Sequence, residues 1–139
     1  MTVSIRAAKT DDLRRILARS PMSKNPEAEN NLFTSYKMSA HCWVGMADDE
    51  LKCVWGLIPS SLLSNKAYMW FLGTIDLKDN LFAFVRHSQR AVEEMLQVYP
   101  LIVGYHCLDE PDNKRWLMWL GAEFGQPEGR NLPFQIRAK

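Results

Sequence analysis

The sequence predicts an α/β (α+β) fold with the element order βααβββαβαββ, read as one domain over residues 1–139. Three observations predict it. Four apolar runs of strand length, His41 to Met46, Leu51 to Ile58, Ala67 to Ile75 and Leu101 to Cys107, are bounded by polar or turn-forming segments. The long segment from Asp79 to Val98 instead repeats its apolar residues at helical spacing. A short amphipathic segment, Asn113 to Leu120, ends at Gly121 and gives way to the strand-like Glu123-Phe124.

Taken in order, Val3 to Ala8 reads as a short strand. Thr10 then stands where an N-cap is needed, with Asp11 and Asp12 placed to favour the helix dipole. Leu13, Ile16 and Leu17 mark one face of that first helix, and Ser20-Pro21 breaks it. Asn25-Pro26-Glu27 offers a second helix start, with Asn25 as cap and Pro26 at the first helical position, running to about Ser39. Ala47-Asp48-Asp49-Glu50 joins two apolar runs as a β-hairpin. Pro59 to Asn65 is a polar loop, and Ala67 to Ile75, aromatic and uncharged, is the central-strand candidate.

The helix from Asp79 would bury Leu81, Phe84, Val85, Ser88, Val92, Met95 and Leu96, and Pro100 ends it. Leu101 to Cys107 is a strand. Asp109 to Asn113 opens the short Trp-bearing helix, whose Trp116 and Trp119, three apart, are expected to face the core or a partner. Glu123-Phe124 starts a strand, 127–131 turns, and Leu132 to Ile136 returns.

Nearly half the residues are apolar, about a quarter are charged and five are Trp, a globular composition. A net charge of +1 gives no global field for nucleic acid or an anionic membrane, and neither is expected as a partner. Met1 to Leu13 carries charges throughout and has no signal-peptide core. No run reaches the roughly 18 apolar residues a membrane helix needs. A cytoplasmic location follows as the expectation. Cys42, Cys53 and Cys107 lie in apolar strand-like runs without C-x-x-C spacing, which suggests reduced structural thiols and no metal site.

The opening Val3-Ser4-Ile5-Arg6-Ala7-Ala8-Lys9-Thr10-Asp11-Asp12-Leu13 and the closing Trp116-Leu117-Met118-Trp119-Leu120-Gly121-Ala122, with the element order between them, resemble the GNAT (GCN5-related N-acetyltransferase) superfamily. The resemblance implies a mixed, mostly antiparallel sheet flanked by helices, and transfer of an acetyl group from acetyl-CoA to an amine of a small molecule or protein. It further implies that the central strand binds the pantetheine through Phe71, Leu72, Gly73, Thr74 and Ile75. Lys78, Asn80, Leu81 and Phe82, at the following helix start, and Asn113 would complete the cofactor contacts. The physical basis is that unpaired N–H groups and a positive dipole end favour a pyrophosphate.

The chain departs from the family at this loop. Residues 76–83 contain no glycine, where the family usually has (Q/R)-x-x-G-x-(G/A), and they include Asp76 and Asp79 where phosphate would sit. A helix cap by Asp79 would occupy donors the pyrophosphate needs. The family's frequent Asn, eleven residues before the terminal glycine, is Glu110 here, and its frequent Tyr, four before, is Leu117. The nearest replacements follow the penultimate long strand: Tyr105 or His106 as general acid, Glu110 or Asp109 as base. Strand alternation lets only one of Tyr105 and His106 face a given side. Glu110, beside Pro111, also reads as an acid at a helix start. His41, Trp43, Trp55, Tyr68 and Trp70 read as sheet-packing residues.

Over nearly its whole length the chain is also similar to small GNAT-like proteins of tailed bacteriophages, a group that includes internal virion proteins. That similarity rests on Ile5-Arg6-Ala7-Ala8-Lys9-Thr10-Asp11-Asp12, the non-glycine loop, Arg115 to Ala122, and Phe134-Gln135-Ile136. It implies a second reading: a non-catalytic virion or host-interaction protein that keeps the fold without its cofactor, with phage or host proteins as partners and the host cytoplasm or the virion as location. The exposed side of the Trp-bearing helix is a candidate homodimer surface. A third idea places a peptide or nucleic acid on Arg86, His87 and Arg90.

Overall fold

The computed structural model describes residues 2–61, 65–107 and 111–138. Its elements are β1 (Val3–Ala7), α1 (Thr10–Ala18), α2 (Ala28–Met38), β2 (His41–Ala47), β3 (Glu50–Pro59), β4 (Lys66–Gly73), a 3-10 turn (Leu77–Asn80), α3 (Leu81–Val98), β5 (Leu101–Cys107), α4 (Pro111–Trp119), β6 (Glu123–Phe124) and β7 (Asn131–Arg137). The strands form a seven-stranded sheet in the order β1-β2-β3-β4-β5-β7-β6. The β4–β5 pair is parallel, and the β1–β2, β2–β3, β5–β7 and β6–β7 pairs are antiparallel. The expected mixed, mostly antiparallel sheet with flanking helices is therefore found. Among the described residues no helix is long and apolar enough to cross a membrane.

The chain packs as two compact units, Met1–Ile58 with Trp70–Phe84, and Pro59–Met69 with Val85–Lys139. In the first, Leu13 and Ile16 of α1 and Val44 and Val54 of β2 and β3 are fully buried. Asp48 and Asp49 both take positive φ, 50° and 68°, as a two-residue hairpin with a type I′ turn requires. The α1 start differs from expectation. Thr10 is the first helical residue, and the cap is built from the other side: the buried Asp12 carboxylate accepts the Lys9 N–H at 2.8 Å and both guanidinium nitrogens of Arg6 at 2.8 and 2.9 Å. Asn25 likewise does not cap α2. Its side-chain oxygen accepts the Glu27 N–H at 2.9 Å, an Asx turn that delays the helix to Ala28.

The β2–β3 ladder slips between Gly45↔Cys53 and Met46↔Leu51, which leaves Lys52 as the extra residue of a β-bulge. Trp70 is buried with its indole N–H on Ser39 Oγ at 2.7 Å. Its ring lies where a side chain at Gly56 would stand, 2.6 Å from the Cβ that residue lacks. His41, Trp43 and Trp55 stack in a row along the β2–β3 face.

In the second unit, Ile102, Leu132, Phe134 and Ile136 bury one face of the β5–β7 pair, joined by Val92, Met95, Trp116, Leu117 and Leu120 from the helices. The Trp116 indole N–H reaches Ser88 Oγ at 3.0 Å, which accounts for a serine on the apolar face of α3. The two tryptophans of α4 part company: Trp116 is buried, whereas Trp119 is 43% exposed, with the Arg115 guanidinium over its ring. A spacing of three residues spreads side chains over about 60° beyond one face, enough to leave one at the rim. Gly121, at φ 91°, stops α4, with the Ala122 N–H on Leu117 O at 3.0 Å and the Gly121 N–H on Met118 O at 3.1 Å.

Candidate active site

Of the residues that the sequence assigns to cofactor binding, those from Phe71 to Phe82 belong to the first unit and Asn113 to the second. β4 ends at Gly73, two residues earlier than the apolar run suggests, and Thr74 and Ile75 belong to the turn that follows. Their backbone donors are engaged. The Thr74 N–H reaches Lys52 O at 2.8 Å, and the Ile75 N–H reaches Arg19 O at 2.9 Å. Leu77 N–H bonds to Thr74 O and Asp79 N–H to Asp76 O, both at 3.1 Å. Thr74 and Ile75 thus fall short as backbone donors to a ligand, although the Ile75 side chain is exposed. Phe71, Leu72 and Gly73 are half-buried along the strand itself.

Asp76 is the hub of this turn. Its carboxylate accepts from Lys52 Nζ at 2.6 Å, Thr74 Oγ1 at 2.7 Å and Arg19 NH2 at 3.1 Å. Lys52 also reaches Glu50 at 3.2 Å, so two acids and two bases meet in one network. The Lys52 hydrogen bond, then that of Thr74, holds the Asp76 carboxyl down at about 2. The same bond to Asp76 raises the Lys52 ammonium above its ordinary value despite burial. From sequence alone Asp76 is an unscreened acid in a phosphate position; in the fold its charge is offset by Lys52 and Arg19.

Lys52 and Arg19 went unnoticed as neighbours of this turn. Lys52 left one signal, a lone cation inside the apolar run Leu51 to Ile58. Arg19 left none, since it pairs across 57 positions.

Asp79 is exposed and lies inside the 3-10 turn, before α3 begins at Leu81. The helix thus starts two residues later than expected, directly after the 3-10 turn. Lys78, Asn80, Leu81, Phe82 and Asn113 occupy the 3-10 turn, α3 and α4, and their side chains lie outside the described ones. Asp109 and Glu110 lie outside the described residues. Arg86, His87 and Arg90 are exposed along α3.

In the second unit the β4–β5 ladder covers Lys66↔Leu101, Ala67↔Ile102 and Tyr68↔Val103, after which β4 continues to Gly73 and β5 to Cys107. Just past the ladder Gly104 permits a close approach: a Cβ there would stand 2.7 Å from Met69 O and 2.7 Å from the Phe134 ring. The strand then separates its two candidate acids. His106 is 4% exposed and pairs with buried Leu132. Burial, and secondarily Lys114, push its pKa down, so it rests as a neutral imidazole. Tyr105 points to the other face and is 52% exposed, its ring 6.3 Å from that of Tyr68. Of the pair, Tyr105 is the one a solvent-borne substrate can reach. Burial pushes the Cys42 and Cys53 thiols up to about 12, which makes them poor nucleophiles.

Comparison with solved structures places this geometry in a known fold. A chimeric spermidine N-acetyltransferase from Vibrio cholerae and hSSAT matches 99% of this chain and 96% of its own, at a TM-score of 0.71 and 17% identity. An acetyltransferase of Bacillus subtilis in complex with CoA matches over 99% and 98%, at 0.68 and 12%. An N-acetyltransferase from Staphylococcus aureus Mu50 matches over 99% of both chains, at 0.71 and 12%. The chain has the fold of these acetyltransferases, end to end. No family model matches the sequence, and no curated protein matches it.

Proposed function

We propose that this protein is an acetyl-CoA-dependent N-acetyltransferase. The observation that carries the reading is the course of β4: its parallel ladder with β5 covers Lys66–Tyr68, the strand runs on to Gly73, and a turn leads directly to the start of α3. Strand, turn and helix start in this order suit a ligand with an amide-bearing arm and a phosphate end. The arm would lie along Phe71–Gly73. The pyrophosphate would meet the first-turn N–H groups of α3, at Leu81 to Ala83. The neutralisation of Asp76 by Lys52 and Arg19 removes one charge that would oppose it.

Acetyl-CoA supplies an activated thioester carbonyl when bound. The acceptor amine, as its free base, would attack that carbonyl carbon and the C–S bond would break; the nitrogen would give up one proton to solvent, and one proton must reach the departing sulfur. In this reading Tyr105, the exposed one of the two acid candidates on β5, would donate it and regain a proton from solvent. The buried His106 would act on Tyr105 only through the strand, as packing. Proximity of amine and thioester would supply much of the rate.

The test is thiol release from acetyl-CoA across a panel of primary amines. The reading expects amine-dependent release and a fall of about a hundredfold in kcat for Tyr105→Phe, the low end for general acid catalysis. Release that is independent of amine, or unchanged in Tyr105→Phe, would remove Tyr105 from the chemistry.

One observation favours the second reading, a retained fold that has lost its cofactor. The turn is glycine-free, and four of its N–H groups, from Thr74 to Asp79, are already bonded within the protein. On that reading the protein acts by binding phage or host proteins.

A further inference from the structure

We propose that a groove on the exposed face of the β5–β7–β6 sheet binds a small primary amine carried on an apolar body, with its ammonium against Glu123. This deepens the acyl-transfer reading by naming its acceptor class, and rests on that reading for the amine's fate.

The groove follows from register. Val103 pairs with Gln135, Tyr105 with Pro133, and Glu123 with Gln135, so these side chains share one face of the sheet. The alternate residues Ile102, Phe134 and Ile136 are buried on the other. On the exposed face Val103, Tyr105, Glu123, Pro133 and Gln135 line a cavity of about 380 Å³, while Phe124, paired with Phe134, turns its ring to the other face. That lies at the small end of ligand pockets, which run to about 300–1,000 Å³.

Its walls are aromatic and aliphatic, and Glu123 is the one charged side chain among its described lining residues. An anion would meet a carboxylate there. A cation meets that carboxylate, and the body that carries it meets the ring of Tyr105, which also lies 6.3 Å from that of the half-buried Tyr68.

Glu123 is available for exchange. Its present partner is Arg137, at 3.7 Å, with the two side chains 63% and 62% exposed. Pairs this long and this wet are weak. Arg137 has a second acceptor in the Gln135 amide oxygen, 3.1 Å from its Nε when the amide is turned toward it. An incoming ammonium can therefore take Glu123 without leaving Arg137 unpaired. Lys114 stands over the Phe124 ring at 5.4 Å and lies outside the groove lining.

The experiment titrates the full chain with 2-phenylethylammonium and, separately, with 3-phenylpropionate, its anionic counterpart, by ligand-observed NMR. The amine is expected to bind at least about tenfold more tightly than the acid. Glu123→Gln should weaken the amine about two- to fivefold, the range for an exposed ion pair. Arg137→Gln should tighten it, because it frees Glu123, and Tyr105→Ala should weaken it most. Equal binding of amine and acid, or an unchanged affinity in Glu123→Gln, would overturn the proposal, as would no amine binding at all.

A parallel titration with acetyl-CoA separates the two readings. Amine binding without cofactor binding keeps the groove and removes acyl transfer. Cofactor binding without amine preference removes the groove and leaves acyl transfer standing.

Discussion

Replacing Asp76 with alanine asks whether charge holds the turn after β4 in place. Lys52 Nζ has two carboxylate partners, Asp76 at 2.6 Å and Glu50 at 3.2 Å, and the lysine side chain is 7% exposed. Without Asp76 the ammonium keeps only the longer contact to Glu50, itself 62% exposed. Breaking a fully buried pair costs about 3–5 kcal/mol, and a hydrogen bond to a charged group is worth about 1.5–3 kcal/mol. Asp76 is 38% exposed and Glu50 remains, so solvent screening places the cost near the lower figure, about 1.5–2 kcal/mol.

Lys52→Met removes the buried charge together with its need for a partner, and should cost about 1 kcal/mol or less. Urea unfolding of both variants at neutral pH gives the comparison. The pH dependence is a second readout. Asp76 titrates at about 2 in the fold against an ordinary 3.8, so its contribution is complete above 3.8 and disappears as pH falls toward 2. Lys52 is raised above its ordinary 10.5, so its share is complete below that value and is lost as pH rises through the higher folded one. The gap between wild type and Asp76→Ala should therefore close on acidification. A penalty for Asp76→Ala no larger than that of Lys52→Met, or one that persists unchanged in acid, would refute the reasoning.

Asp12→Ala should cost about 2 kcal/mol in the same assay, since one buried carboxylate serves both the Lys9 N–H and the Arg6 guanidinium. Its pKa is lowered, chiefly by Arg6, so this cost too should shrink as pH falls below the ordinary 3.8. Gly104→Ala should destabilise by about 1–3 kcal/mol, because the new methyl meets the Met69 carbonyl, which is backbone and cannot turn aside. Thermal denaturation at one pH reads this directly. Cys53, fully buried with its thiol pushed up to about 12, should resist alkylation at neutral pH until denaturant is added, as peptide mass analysis would show.

Periodicity was enough for the element order, because strand and helix repeats here rarely compete. The hairpin at Asp48-Asp49 and the stop at Gly121 were legible for a local reason: each needs a positive φ that few residues tolerate. The errors came where a side chain reaches back or across. Thr10 has the chemistry of a cap, but Asp12 is drawn to Arg6 and closes the helix start from inside. Asn25 spends its side chain on an Asx turn.

The candidate site was legible in part. Alternation required that Tyr105 and His106 face opposite sides, but which side is buried depends on the pairing of β5 with β7. The pairing of Asp76 with Lys52 and Arg19 was not legible, because it depends on a bulge at Lys52 and on contacts far apart in sequence. Trp119 shows the same limit. Its spacing from Trp116 fixes their relative direction on α4 and says nothing about where the core ends.

Isothermal titration with acetyl-CoA and with CoA tests the central claim most directly. The acyl-transfer account predicts micromolar affinity, with one cofactor per chain. An Asp79→Gly variant should bind more tightly still, because it removes a negative side chain from the turn beside the pyrophosphate. Absence of binding at millimolar cofactor, in both proteins, would contradict the account and leave a fold that works without its cofactor.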